Sequence, residues 1–402
     1  MNAMTNEQKT LLGLLGKYLF EAPYEPLANT DWEAVIKESQ LQTVFSVAFS
    51  RYQELPLSEE TSHKVKTSLM KHTLANLSCF KNHSYLHNLM LKHNISYCVL
   101  KGAVSASYYP EPLYRSMGDV DFYLHPHDLD RAASVLQEEG FVFDEGNHLY
   151  HIAMHHGKKD IEMHFKPIAY QEGWIGEILE EYWRDIRETS ILCENELATF
   201  YRPSVFHHGF ILLTHLQQHL FQEGVGLRHF CDWALFVKSL TQDEFTALFE
   251  KKLKRIGLFR LAQLLSLAAV KHLGLAYQNW MGDDYEFADE LLLDIICGGN
   301  FGRKDRKRAY EALFIGKGDG QARYKSRIGQ AFASLNRLTD YHWKAAKKFP
   351  LLYPVGWVFF SLRYLFRVMT GKRKIHLIDN FKKSGERKKK YEKIKAYDPE
   401  DE

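Results

Sequence analysis

Residues 95–124 read ISYCVLKGAVSASYYPEPLYRSMGDVDFYL, and the order of textures within them decides the fold. Ile95 to Leu100 is short, apolar and rich in β-branched and aromatic residues, and it stops at Lys101-Gly102, as a buried strand stops at a turn. Ala103 to Tyr109 fits one or two helical turns. Val120 to Leu124 is a second strand with Asp119 at its entrance. Side chains alternate along a strand, so Asp119 and Asp121 point the same way while Val120 enters the core. Two carboxylates held that close repel unless a cation lies between them. Mg²⁺ is the natural partner, being hard, oxygen-seeking and commonly shared with substrate phosphates.

Working outward, Asp128 to Glu139 is a helix capped by His127 or Asp128 and ended by Gly140. Phe141 to Phe143, Leu149 to Met154 and Ile161 to Phe165 read as strands, with a hairpin turn at Gly157-Lys158-Lys159. This is a small α/β unit. Upstream, Glu7–Phe20, Asp31–Tyr52 and Ser58–Leu91 have helical spacing. Downstream, Val205–Phe221, Arg228–Leu240, Asp243–Arg255, Gly257–Leu273 and Asp284–Ile296 do too, before a Gly-rich break at residues 316–321. The expectation is an α+β chain: an N-terminal helical bundle (1–93), a small mixed-sheet core (94–200), a C-terminal helical region (201–380) and a charged, disordered tail (381–402).

Composition narrows the function. The chain has 402 residues, 52 Lys+Arg against 50 Asp+Glu, and a formal net charge of +2. Such balance argues against nucleic acid as a partner, which usually needs a strongly basic domain. Cys79, Cys98, Cys193, Cys231 and Cys297 are odd in number and widely spaced, with no C-x-x-C. That pattern fits a reducing cytoplasm rather than a disulfide framework. The start lacks the basic-then-apolar pattern of a signal peptide, and no stretch reaches the ~18 uninterrupted apolar residues of a spanning helix.

The chemistry concentrates around the aspartate pair. Gly102 leaves a strand exit without a side chain, where a phosphate can approach backbone N–H groups and the helix start. Lys101 and Arg115 add positive charge where a triphosphate would lie. In Asp160-Ile-Glu162-Met-His164 the polar residues share one strand face, so Glu162 is a third carboxylate. Two metal-ligating carboxylates and one that accepts a hydroxyl proton are the parts of two-metal phosphoryl or nucleotidyl transfer. His215 and His219 are one helical turn apart, but no Glu follows His215 as a zinc protease requires. His148, His151, His155 and His156 cluster locally. His151 and His155 share a face while His156 opposes them, and a solvated hairpin is the expected reading.

These residues resemble the polymerase-β-type nucleotidyltransferase superfamily, and more narrowly a bacterial group described as uncharacterised nucleotidyltransferases. The resemblance rests on the strand ending in Leu100-Lys-Gly-Ala103, on Arg115-x-x-x-Asp119-Val-Asp121 and on Glu162-Met-His-Phe165. It continues in His215-x-x-x-His219 and in Gly226-Leu-Arg228-His-Phe-Cys-Asp232. It implies two Mg²⁺ ions on Asp119 and Asp121, with Glu162 as third ligand and candidate base. Lys101, Gly102, Ala103, Ser105 and Arg115 would be on the nucleotide, and His215, His219, Arg228 and Asp232 would face nucleotide or acceptor. The substrate would be a nucleoside triphosphate, ATP foremost, and the acceptor a hydroxyl. Two positions depart from the superfamily pattern: Gly102-Ala103 replaces Gly-Ser, and the third acid is Glu162 rather than Asp. The alternatives are a weak or inactive nucleotide-binding scaffold on the same fold, and an enzyme that nucleotidylates another polypeptide.

Phe349 to Arg373 combines aromatic bulk with cations such as Arg363 and Arg367. It suits a helix closing the C-terminal bundle, since apolar stripes are more often buried. It also suits an interfacial helix, which would bring the protein to the inner face of the membrane through residues 349–374.

Overall fold

Thr5 accepts from the Gln8 backbone N–H while Gln8 reaches back to Thr5, a reciprocal cap that starts α1 (Asn6–Phe20). The structure is a computed structural model. It describes residues 4–144, 150–157, 159–168, 174–305 and 351–369, together with 308, 336, 339, 343, 349, 387, 391, 393 and 394. The Gly-rich break at 316–321, Leu149, His148 and Lys158 lie outside the described residues, as does most of the charged tail.

The helix expected over 31–52 is instead two, α2 (Trp32–Leu41) and α3 (Phe45–Ala48), followed by a 3₁₀ turn at Tyr52–Glu54. The break is tertiary in origin. Gln42 is fully buried. Its Nε2 donates to the Ile296 carbonyl at 2.8 Å, and its Oε1 accepts from the Leu227 N–H at 3.1 Å. Thr43 then takes a φ of 59°, which no helix accommodates. The long α4 (Glu59–Lys92) starts at Ser58, whose side chain accepts from the Thr61 N–H.

Five strands form the main sheet: β1 (Tyr97–Val99), β2 (Val120–Leu124), β3 (Val142–Phe143), β4 (His151–His156) and β5 (Lys159–His164), in the order β1-β2-β5-β4-β3. Among the described strand pairs of this sheet, only β2 and β5 run parallel. α5 (Ala103–Ala106) is a single turn after β1, and α6 (Leu129–Glu138) follows β2. Asp128 holds the N-cap position of α6, one of the two expected residues, but its side chain makes no capping hydrogen bond, and Pro126 opens a 3₁₀ turn just before it. Two pieces had no sequence assignment, α7 (Trp174–Trp183) and the hairpin of β6 (Ile191–Glu194) with β7 (Thr199–Arg202).

Further along, the described residues form α8 (Val205–Phe221), α9 (Leu227–Lys238), α10 (Gln242–Phe245), α11 (Lys251–Arg255), α12 (Phe259–Leu273), α13 (Tyr285–Gly298) and α14 (Leu352–Met369). None of the described helices is long and apolar enough to cross a membrane. On α14, Phe360 is buried against Trp343, whereas Val355, Val358 and Leu362, and Leu351 just before the helix, are more than half exposed.

Two apolar cores follow from the strand alternation. Val120, Phe122 and Leu124 of β2 and Ile161 and Met163 of β5 enter a core with Phe80, Leu86 and Met90 of α4 and Leu136 of α6. Tyr123 leaves β2 on the opposite face and joins the larger core. That core unites α1–α3 with α8, α9, α12 and α13. Asp121 and Glu162 are on this second face, looking toward α8 and α9.

Gly209 lets α8 approach α9, because a Cβ there would come within 2.6 Å of the Phe236 and Phe249 rings. Gly209→Ala is expected to cost about 1–3 kcal/mol by overpacking. In urea titration this appears as a lower midpoint with an unchanged slope.

Candidate active site

Gly102 sits at φ 61°, ψ −108°, a conformation that side-chain-bearing residues rarely adopt. The bend turns the chain from β1 into α5 and leaves Lys101 above the end of β2. The Leu100 N–H donates to the Asp121 carbonyl at 2.9 Å, fixing the two segments. Parallel pairing of β2 with β5 sets Asp121 opposite Glu162. Asp119 enters the strand from the same side. One carboxylate oxygen from each of Asp119, Asp121 and Glu162 lies within 4.8 Å of the others.

Three acids so close need compensation. Lys101 Nζ stands 3.0 Å from Asp121 Oδ1. His164 Nε2 is 3.0 Å from the same oxygen and 3.3 Å from Glu162 Oε2. Burial would raise the Asp121 pKa, but Lys101 and His164 hold it well below the ordinary carboxylate range. Burial would lower Lys101, but Asp121, Asp119 and Glu162 outweigh it and keep the ammonium charged. The repulsion left unrelieved falls on Asp119, whose pKa the Asp121 carboxylate, and then burial, push up to about 6. A set of hard oxygen donors with unneutralised charge fits a divalent cation.

The opposite wall comes from α8 and α9. His215 Nε2 is 3.3 Å from Lys101 Nζ and 3.0 Å from His219 Nε2. Burial first, then Lys101, holds both imidazoles neutral, His219 at about 3. Arg228 donates from Nη1 to the Ser116 carbonyl at 3.1 Å, while its buried Nε has no partner among the described residues. Arg115 and Asp232 are committed to each other. Nε and Nη2 of Arg115 donate to Oδ1 and Oδ2 of Asp232 at 2.8 and 2.7 Å, and Tyr109 donates to Oδ1 at 2.8 Å. Arg115 also donates to the Gly102 carbonyl at 3.2 Å, so the pair ties the bend to α9.

These walls enclose a cavity of about 540 Å³. Lys101, Gly102, Ser105, Arg115, Asp119, Asp121, Glu162, His215, His219, Arg228 and Asp232 all line it. Ala103 is buried in the apolar core instead, and Ser105 Oγ lies 3.4 Å from His208 Nε2. The reading of His151 as part of a solvated hairpin is corrected. His151 is buried and directly paired with His164 across β4 and β5, a contact that neighbours in sequence cannot reveal. Other lining residues were missed. His229 adjoins Arg228, and Thr43, Asn300 and Phe301 come from turns without a motif.

The family model described as uncharacterised nucleotidyltransferase matches residues 28–274. The chain belongs to that family, and it is an enzyme of the nucleotidyltransferase class. No curated protein and no solved structure matches it.

Breaking the Arg115–Asp232 pair leaves a buried charge without its partner. Asp232→Asn is expected to cost about 3–5 kcal/mol, and a double change to apolar residues of similar volume to recover most of it. Chemical denaturation without ligand checks both.

Proposed function

We propose that this family member transfers a nucleoside monophosphate from a nucleoside triphosphate, ATP foremost, to the hydroxyl of an acceptor. The acceptor oxygen bonds to the α-phosphorus, the bond from that phosphorus to the bridging oxygen breaks, and pyrophosphate leaves. The observation that carries this reading is the convergence of Asp119, Asp121 and Glu162 beside the Gly102 bend, in a cavity whose far wall bears Arg228. Asp119, Asp121 and Glu162 would hold two Mg²⁺ ions, which when bound neutralise phosphate charge and align the attacking oxygen.

Glu162, with 27% of its side chain exposed, is more open than Asp121 and is the base in this reading, accepting the hydroxyl proton. Lys101 and Arg228 bind phosphate oxygens, Arg228 through the N–H that no described residue takes. His215 and His219, being neutral, contribute ring N–H groups without adding charge. Arg115 and Asp232 act on the nucleotide indirectly, by holding Gly102 and α9 in place. Peripheral contact with the inner face of a membrane belongs to the same reading. It is supported by the outward apolar residues Leu351, Val355, Val358 and Leu362, with the exposed Arg363 beside them.

Asp119→Asn and Asp121→Asn are each expected to remove pyrophosphate release from Mg·ATP by at least a hundredfold, with circular dichroism unchanged. Turnover at the wild-type rate in either variant refutes the assignment. Mass spectrometry of the products, co-purified polypeptides included, reports which class of acceptor gains the nucleotide.

For the membrane contact, the full chain is expected to float with vesicles containing phosphatidylserine. It should sediment when Val355, Val358 and Leu362 are all changed to Glu. Equal flotation of the two forms removes the contact.

A further inference from the structure

Glu162 belongs to a second group of ligand atoms. His151 on β4 faces His164 on β5 in direct antiparallel register, and Glu162 precedes His164 by two residues on the same strand face. One donor atom from each of the three lies within 4.8 Å of the others. Nε2 of His151 is 3.7 Å from Oε1 of Glu162, and Nε2 of His164 is 3.3 Å from Oε2. In a tetrahedral site with zinc-like bonds of about 2.0–2.1 Å, neighbouring ligand atoms stand about 3.4 Å apart, and each imidazole nitrogen lies near that distance from one of the two Glu162 oxygens. The rings are 5.0 Å apart between centroids, and the edge-on Tyr150 ring packs against His151. Both imidazoles are buried, while Glu162 opens to the cavity, so an ion there would have a protein-held side and an accessible one.

We infer that His151, Glu162 and His164 form a binding site for a divalent transition-metal ion of the zinc or manganese class, separate from the all-carboxylate group. The donor chemistry decides the class. Mg²⁺ takes oxygen ligands in near-octahedral geometry and keeps its water. Two imidazole nitrogens and one carboxylate suit zinc, iron, cobalt or manganese instead. Three protein ligands with one side open to a cavity are the pattern of a reactive rather than a purely structural site. Occupancy also reaches the neighbouring acids. His164 Nε2 now contacts Asp121 at 3.0 Å. A nitrogen that ligates an ion no longer donates that hydrogen bond, which leaves Asp121 to Lys101. Glu162, common to both groups, would bridge them. The site shares Glu162 with the proposed transfer reaction but rests on its own donors.

The test uses the full chain after chelator treatment, titrated with Co²⁺ alone as a spectroscopic stand-in. One equivalent is expected to give visible ligand-field bands that Zn²⁺ abolishes and Mg²⁺ at the same concentration does not. His151→Gln and His164→Gln should each weaken Co²⁺ binding at least tenfold, and Asp119→Asn should leave the bands in place. X-ray absorption on the zinc-loaded wild type, which depends on no variant, should show two imidazoles in the shell. No bands at one equivalent, displacement by Mg²⁺, bands retained in both histidine variants, bands lost in Asp119→Asn, or a shell without imidazole each overturns the inference. Pyrophosphate release is read separately. Release with Mg²⁺ but no cobalt signature sinks the site alone, whereas a cobalt signature without release sinks the transfer reading alone.

Discussion

The parallel register of β2 against β5, Asp121 opposite Glu162, is the constraint from which the cavity follows. Sliding either strand by one residue would send one carboxylate into the apolar core that Val120, Phe122, Ile161 and Met163 fill. The hydrophobic alternation therefore fixes the register, and the register brings like charges together. At about 4 Å, such repulsion is worth about 4 kcal/mol per pair at the effective dielectric near a protein surface. Lys101 and His164 offset part of it on Asp121, and the remainder appears as the raised pKa of Asp119. Apolar burial elsewhere sustains a site that is electrostatically incomplete by itself.

Holding that site requires a second connection, between the sheet and the helices that roof it. The Arg115–Asp232 pair supplies it, because one guanidinium meets both oxygens of an α9 carboxylate and the carbonyl of Gly102. Arg115 leaves the strand-entry loop four residues before Asp119, so α9 is fastened close to the acids. Gln42 performs the matching task at the N-terminus of α9, joining Leu227 to Ile296 and so tying α2 and α9 to α13. The turn this imposes holds Thr43 at positive φ on the cavity rim, and Phe301, also at positive φ, stands on it after α13. Strain of this kind persists only where surrounding packing over-determines the backbone.

Much of this was legible in the sequence because it is local. Alternation assigned Asp119, Asp121 and Glu162 to one side of two strands, and three-to-four spacing gave α1, α4, α8, α9, α12 and α13 nearly to the residue. What escaped depends on partners distant in the chain. Nothing in residues 31–52 shows that Gln42 will find Ile296. Nothing near His151 shows that it pairs with a histidine thirteen residues on rather than with His155. Arg115 and Asp232 both carried the mark of function, but single-residue reasoning had no means of seeing that each satisfies the other. The short β6 and β7 lie in a mixed polar stretch where neither period stands out, which is why that hairpin had no counterpart in the reading.

The distribution of protons explains why so many histidines can share the cavity with Lys101 and Arg228. Were His215, His219 and His229 charged, they would repel Lys101 and Arg228 and cancel the acids before any ligand arrived. Burial, reinforced by those same cations, keeps all three neutral. Lys101 thus stays on Asp121, and His215 offers it a ring nitrogen rather than a competing charge. His164 is the opposite case. Burial alone would lower its pKa, but hydrogen bonds to Asp121 and Glu162 outweigh burial and raise it. The cavity is therefore polarised from sheet to helices, with negative charge concentrated where a cation can replace a proton, and with neutral imidazoles and the Arg228 guanidinium opposite. That arrangement suits a ligand that brings its own anionic groups together with the cations that balance them.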